Sequence, residues 1–148
     1  MGYRFRLETV LNLKRRLQEA AQMELSRIDT MKRSREEELA AERQRLNTLR
    51  DKQRTQLCHG MSAEEFLLMQ DAIFITEKRI QITKEELSKL DIERRKARHN
   101  LVNRHREKRL MEKLREKDLA KYKESEQKQQ QLEADEFTSI KFSRNKEE

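Results

Sequence analysis

The stretch LCHGMSAEEF, Leu57 to Phe66, holds the one glycine of this 148-residue chain beyond position 2, and the chain has no proline. Its order decides the fold. Gly60 can adopt the left-handed conformation that ends a helix, because no Cβ clashes there. Ser62 can then cap a second helix, with Glu65 placed three residues on to reach back to the cap amide. A stop signal followed within two residues by a start signal predicts a turn between two helices. Long helices joined by so short a turn run antiparallel to bury their apolar stripes on each other. The alternative, one continuous helix that tolerates Gly60, costs about 1 kcal/mol relative to alanine.

Composition supports length rather than bulk. Charged residues make up 43% and hydrophobic residues 34%, with five Phe, two Tyr and no Trp. A shared globular core calls for about 45–50% apolar residues. Low apolar content also occurs in disordered chains, but those are rich in proline and glycine. The abundant types here are Lys, Arg, Glu, Gln, Leu and Ala, all good helix formers.

The apolar positions form a narrow seam. Leu7, Val10, Leu17, Ala21, Leu25, Ile28, Leu39, Leu46 and Leu49 follow a three-and-four spacing, with Lys14, Lys32, Arg35 and Glu42 in the empty slots. The steps from Leu17 through Ala21 and Leu25 to Ile28 read as a stutter, which locally relaxes a supercoil. After Ser62 the series resumes with Phe66, Met69, Ile73, Ile80, Leu87, Leu90, Ala97 and Leu101, then runs less regularly through Leu110, Leu114, Tyr122, Leu132 and Phe137. Two apolar positions per heptad make a coiled-coil seam. The expected fold is all-α: a long antiparallel two-helix coiled-coil hairpin with an overhanging second helix. Residues 1–148 are expected to form a single elongated unit, with helix one over 5–57, a turn over 58–62, helix two over 63–138 and a disordered tail over 139–148. Folding back at Gly60 sets Leu49 near Phe66 to Ile73 and Leu7 near Arg115, in a first helix roughly 80 Å long at 1.5 Å per residue.

Charge is uneven. Between Arg94 and Lys117 there are 11 Lys or Arg against Glu107, Glu112 and Glu116, a net of +8 where the whole chain carries +7. Such a stretch suits an anionic partner, and a solvated helix face accounts for it equally well. Nucleic acid is disfavoured, because no aromatic is interleaved with these charges to stack on bases. A membrane-surface helix is disfavoured too, since the face opposite carries only Ala97, Leu101, Leu110 and Leu114. No run of about 18 apolar residues is present to span a bilayer.

Catalytic chemistry finds no footing. Cys58 and His59 adjoin at a turn without a third orienting group. His59, His99 and His105 lack metal-ligand spacing. A glycine-rich phosphate loop is impossible with two glycines, and one cysteine excludes an internal disulfide. The expectation is a non-enzymatic protein without metal or cofactor, binding through its surface.

Three stretches resemble the flagellar FliJ family. YRFRLETVLNLKRRLQEAA, from Tyr3, resembles the family's opening. GMSAEEF resembles its turn, and LMEKLREKDLAKYKESEQKQQQLEADEF, from Leu110, resembles its most recognisable segment. The resemblance implies a cytoplasmic part of the flagellar type III export apparatus, peripheral at the inner membrane. It implies an antiparallel hairpin similar to the central stalk of rotary ATP synthases. Such a stalk promotes assembly and activity of the export ATPase hexamer and links it to the cytoplasmic domain of the membrane export gate and to export chaperones. The end where the chain begins would enter the ring, through Arg4, Phe5, Arg6, Leu7, Val10, Leu11, Lys14, Arg115, Lys117 and Tyr122. The turn end would dock on the gate through Leu46, Leu49, Phe66, Leu67, Met69 and Ile73. Leu46, Leu49, Met69 and Ile73 serve equally as seam, but Phe66, Leu67, Leu68 and Met69 are four consecutive apolar residues and cannot all face one helix. The equivalent stalk of a virulence-type secretion system shares these features. A stalk is expected to be monomeric alone, whereas a scaffold coiled coil without an ATPase partner would be a dimer or larger.

Overall fold

The computed structural model describes residues 2–146. Two helices account for nearly all of them: α1, Glu8–His59, and α2, Ala63–Arg144. They pack against each other as a hairpin. The turn between them shows part of the expected chemistry: the left-handed glycine and the Ser62 cap are present, while the Glu65 carboxylate makes no bond back to the Ser62 N–H among the described residues. Gly60 has a φ of 91°, a left-handed conformation that alanine or any larger residue would hold only under strain. The Glu65 N–H donates to Ser62 Oγ at 3.2 Å, and the Phe66 N–H donates to the Ser62 carbonyl at 3.0 Å, the first turn of α2. On the other side, His59 Nδ1 lies 2.8 Å from the Thr55 carbonyl. A carbonyl only accepts, so Nδ1 carries the proton and adds a second bond to a carbonyl in the last turn of α1.

The helix limits differ from those expected at three places, the first being that α1 runs on to His59, past the expected limit at 57. α1 begins at Glu8 rather than Phe5, because Phe5 turns its ring inward and is only 7% exposed. α2 continues to Arg144, past the expected limit at 138; the end of the expected tail, residues 147 and 148, lies outside the described residues.

Contacts divide the chain into two compact units: Met1–Glu19 with Asn103–Glu148, and Ala20–Val102. In the second of these, Leu39, Leu46, Ile73 and Ile80 form the core, with Leu49 and Leu87 packed against it. Thr76 and Thr83 occupy the next seam positions on α2 and are 2% and 8% exposed. Each satisfies its hydroxyl by donating to the carbonyl four residues back, Ala72 at 2.8 Å and Arg79 at 2.9 Å. Charged seam positions are met across the pair: Lys32 by Asp91 at 2.9 Å, Arg35 by Glu86 at 3.2 Å, and Glu42 by Arg79 at 3.9 Å. Each step forward along α1 is matched by a step back along α2, the signature of antiparallel register. Half-exposed pairs such as these add little stability, but they penalise wrong registers.

The unit that contains the N-terminus has a different interior. Leu11 is fully buried and Phe5 nearly so. Lys14, Gln18, Arg104, Lys108 and Arg115 are half-buried beside them. Lys14 pairs with Glu107 at 3.1 Å, Gln18 bonds His105 at 3.2 Å, and Arg115 lies 3.5 Å from Glu8. The last of these pairs puts the start of α1 beside Arg115, as the register predicts. Beyond Tyr122 every described residue is exposed, so α2 overhangs there.

Two expectations about the seam are corrected. Leu17 is half-buried as expected, but so is Gln18 beside it, and with Gln18 a strict three-and-four series runs through Leu11, Lys14, Gln18, Ala21, Leu25 and Ile28. Leu7 and Val10 are 39% and 38% exposed and stand outside it. On α2, Leu110 and Leu114 are 63% and 48% exposed, and Arg104, Lys108, Met111 and Arg115 hold the seam instead. Both series remain regular once polar residues are admitted to them. Long side chains such as Arg and Lys lay their methylenes along the seam while the charged ends reach solvent.

Candidate functional site

Two exposed surfaces of the hairpin carry the residues singled out in the sequence. The first surface lies where the chain begins. Residues 2–7 run non-helically along α2 and are fastened by Tyr3 and Phe5. The Tyr3 hydroxyl donates to Asp118 Oδ2 at 3.0 Å and lies 3.4 Å from the Arg115 carbonyl. Its ring meets that of Tyr122 at a centroid distance of 5.3 Å and a tilt of 51°, a favourable aromatic geometry. Partial burial, then the bond to the Asp118 carboxylate, holds the Tyr3 phenol above its ordinary pKa, so it stays a donor.

Fastening that segment shapes a shallow groove of about 410 Å³, lined by Phe5, Arg6, Leu7, Leu114, Lys117, Asp118 and Lys121. Leu114, Lys117, Asp118 and Lys121 share one face of α2 by their three-and-four spacing. Arg6, Lys117 and Lys121 form no ion pair among the described residues, so three cations stand open beside two exposed leucines.

The structure sorts the residues expected at this end. Arg4, Arg6 and Lys117 are exposed, and Leu7 and Val10 partly so. Phe5 and Leu11 are buried. Lys14 is engaged with Glu107, whose carboxyl it holds below the usual range by hydrogen bonding. Arg115 is half-buried with Glu8, and Tyr122 supports Tyr3. These five build the surface from beneath. Sequence reasoning missed Lys121 and Asp118, which the face shared with Leu114 and Lys117 could have revealed, and Tyr3, which had no such signal.

The second surface lies on α2 just after the turn. Of the residues expected there, Leu46 and Ile73 are core and Leu49 packs on them. Phe66 and Met69 are half-buried. Leu67 is 62% exposed. Leu68, from the same run of four apolar residues, is 70% exposed, and missed in sequence were the exposed Phe74, Ile75 and Ile82. Cys58 is exposed in the last turn of α1. Among the described residues no group of three His, Cys, Asp or Glu is placed to hold a metal ion, and no helix is long and apolar enough to cross a membrane.

A capped pair of long helices packed on each other, with no strand among the described residues, belongs to the class of all-α helical hairpins. The particular family follows from comparison: the family model of the flagellar FliJ protein matches residues 3–147, and the chain belongs to that family. FliJ proteins are non-enzymatic components of the type III export apparatus. Among solved structures, a protein of Chlamydia trachomatis described as a YscO homologue is similar in fold, with a TM-score of 0.59 over 99% of each chain at 18% identity. No curated protein sequence matches the chain.

Proposed function

We propose that this protein is the central-stalk-like element of a flagellar type III export apparatus, working in the cytoplasm at the inner face of the inner membrane. The groove of Arg6, Leu7, Leu114, Lys117 and Lys121 meets acidic loops of the export ATPase hexamer and promotes its assembly and activity. The surface around Leu67, with Phe66 and Met69 on its flank, docks on the cytoplasmic domain of the export gate, and export chaperones are handled on the same hairpin. The observation that carries the reading is the set of three unpaired cations beside exposed leucines in the groove. Exposed charge contacts are each worth little, which suits an element that must shift within a ring.

The test is ATP hydrolysis by the cognate export ATPase across enzyme concentrations, with and without the protein. Stimulation is expected to be largest where the ATPase is dilute, because assembly is then limiting. Arg6→Glu, Lys117→Glu and Lys121→Glu together are expected to remove it while helicity is kept. Hydrolysis unchanged by the parent protein at every concentration would sink the stalk role. Removing residues 1–14 is a poorer probe, since it also removes Phe5 and Leu11 from the interior. For the gate, Leu67→Glu is expected to abolish binding with melting unchanged; a collapse of melting would show that Leu67 is structural.

A second reading, the equivalent stalk of a virulence-type system, is favoured by the fold shared with the YscO homologue. Flagellar or injectisome genes beside the coding sequence separate the two.

A further inference from the structure

The outer face of α2 carries an apolar stripe that the hairpin does not use. Leu67, Leu68, Phe74, Ile75 and Ile82 are 51–70% exposed. Leu68, Ile75 and Ile82 recur every seven residues, with Leu67 and Phe74 alongside at the same interval. At 100° per residue this stripe lies on the side of α2 away from the seam formed by Ile73, Thr76, Ile80 and Thr83. The distribution is opposite to what the hairpin alone would favour. Threonines fill two buried positions while isoleucines of better packing value stand in solvent. A contiguous exposed apolar stripe marks an interaction surface.

Charge identifies the occupant. Asp71 and Lys78 lie on the midline of the stripe, seven residues apart, and neither forms an ion pair among the described residues; Lys78 instead rests over the Phe74 ring at 5.3 Å. If two copies of α2 cross antiparallel about a two-fold axis beside Phe74 and Ile75, Leu67 of each faces Ile82 of the other. Phe74 then faces Ile75, and Asp71 faces Lys78. Parallel pairing would set Asp71 against Asp71 and Lys78 against Lys78. An isologous interface needs this kind of self-complementarity. We propose that α2 pairs antiparallel with α2 of a second copy along Leu67, Leu68, Phe74, Ile75 and Ile82, with Asp71 opposite Lys78.

The pairing is short and reversible. Glu64 would face Glu85 at either end, which limits its length. The stripe is five residues, against the roughly 20–30 residues a side of a standard interface. The chain is therefore a monomer when dilute and a dimer when concentrated, which modifies the expectation of a lone monomer. Leu67 is covered in the dimer, so self-pairing and docking through Leu67 exclude each other. The inference rests on the stripe and not on the stalk reading.

Light scattering of the full chain over a range of concentrations tests it. The mass is expected to rise from 18.0 kDa towards twice that value. Ile75→Lys is expected to keep the chain monomeric with unchanged helicity and melting, since the side chain is half-exposed in the monomer. Asp71→Lys and Lys78→Asp are each expected to weaken association about tenfold or more, a 1.4 kcal/mol loss. An equal mixture of the two variants recovers it, because in the mixed dimer a lysine again faces an aspartate at both charged positions. A mass that stays at 18.0 kDa throughout, an Ile75→Lys chain that dimerises like the parent, or a mixture no better than its components would overturn the proposal. Ile82→Lys separates the two surfaces: it should break the dimer and leave gate binding intact. Gate binding lost with the dimer retained would count against both assignments.

Discussion

The core around Leu39, Leu46, Ile73 and Ile80 and the region around Tyr3, Phe5, Leu11 and Tyr122 perform the same task, joining α1 to α2, with different chemistry. The first is a seam of branched aliphatics. The second combines two buried apolar side chains, a tyrosine pair and a row of half-buried Lys, Arg and Gln. Aliphatic burial is non-directional and proportional to area, so the first region contributes affinity between the helices. The second contributes orientation, because each ion pair and hydrogen bond is satisfied in one register only. It also leaves Arg6, Lys117 and Lys121 open, which an all-apolar interior would have no means to position.

The largest expected effect tests the first half of that contrast. Ile80→Ala should destabilise the chain by about 2–4 kcal/mol, read as a lower urea midpoint for the whole helical signal. A loss below about 0.5 kcal/mol, the range of neutral surface changes, would show that the aliphatic cluster is not what pairs the helices. Phe5→Ala should act locally instead. Amides of residues 6–11 should lose hydrogen-exchange protection while the main urea transition stays in place, because Phe5 fastens a terminal segment. A matching fall in the main transition would erase the distinction between the regions. Smaller again, and opposite in sign, is the replacement of both Thr76 and Thr83 by Val. Two methyl groups enter the seam and two back-bonded hydroxyls leave the helix, so stability should rise by about 0.5–1.5 kcal/mol at some 0.8 kcal/mol per buried carbon. Unchanged or lower stability would mean that the hydroxyl bonds to Ala72 and Arg79 matter more than burial.

The smallest effects are those of pH, and they touch both regions. Hydrogen bonding from Lys14 and from Lys32 holds Glu107 and Asp91 below their ordinary values. Stability from a depressed carboxyl is present above its unfolded pKa and is lost as pH falls through the folded one. Both regions should therefore loosen below about pH 4, the ordinary carboxyl range. In alkali, Lys32, raised by its bond to Asp91, and Tyr3, raised by burial and Asp118, keep their contributions up to their ordinary values and lose them as pH climbs through the folded ones. Above about pH 10, the residues around Tyr3 should lose exchange protection, and Tyr3→Phe should remove that step. An alkaline step that persists in Tyr3→Phe would assign it elsewhere.

Much of the molecule was legible without coordinates. Gly60, Ser62 and Glu65 announced the turn through backbone chemistry that acts over a few residues, and the three-and-four spacing announced two helices and their pairing. Legibility failed where polar residues took seam positions. Leu110 and Leu114 suggest seam positions because they are apolar, yet Arg104, Lys108 and Arg115 take the seam there, and polar Gln18 joins it beside Leu17. Apolarity alone does not report which face a helix turns inward when a charged partner across the seam can compensate, as Glu107 does for Lys14. The candidate surfaces were less legible still. Arg6 and Lys117 were identified but Lys121, one turn on from Lys117, was not, and the open stripe on α2 shows only once the seam is known.

By itself, then, the sequence determined what depends on short range: helix-forming composition, one turn at Gly60, and an antiparallel register written in alternating apolar and charged slots. Only the tertiary structure decided which side chains those helices consume and which they leave to solvent. It buries Phe5, Leu11, Leu46 and Ile73, engages Lys14, and exposes Leu67, Ile75 and Ile82. Burial is a property of two helices in one register, and neither stretch of sequence contains it alone.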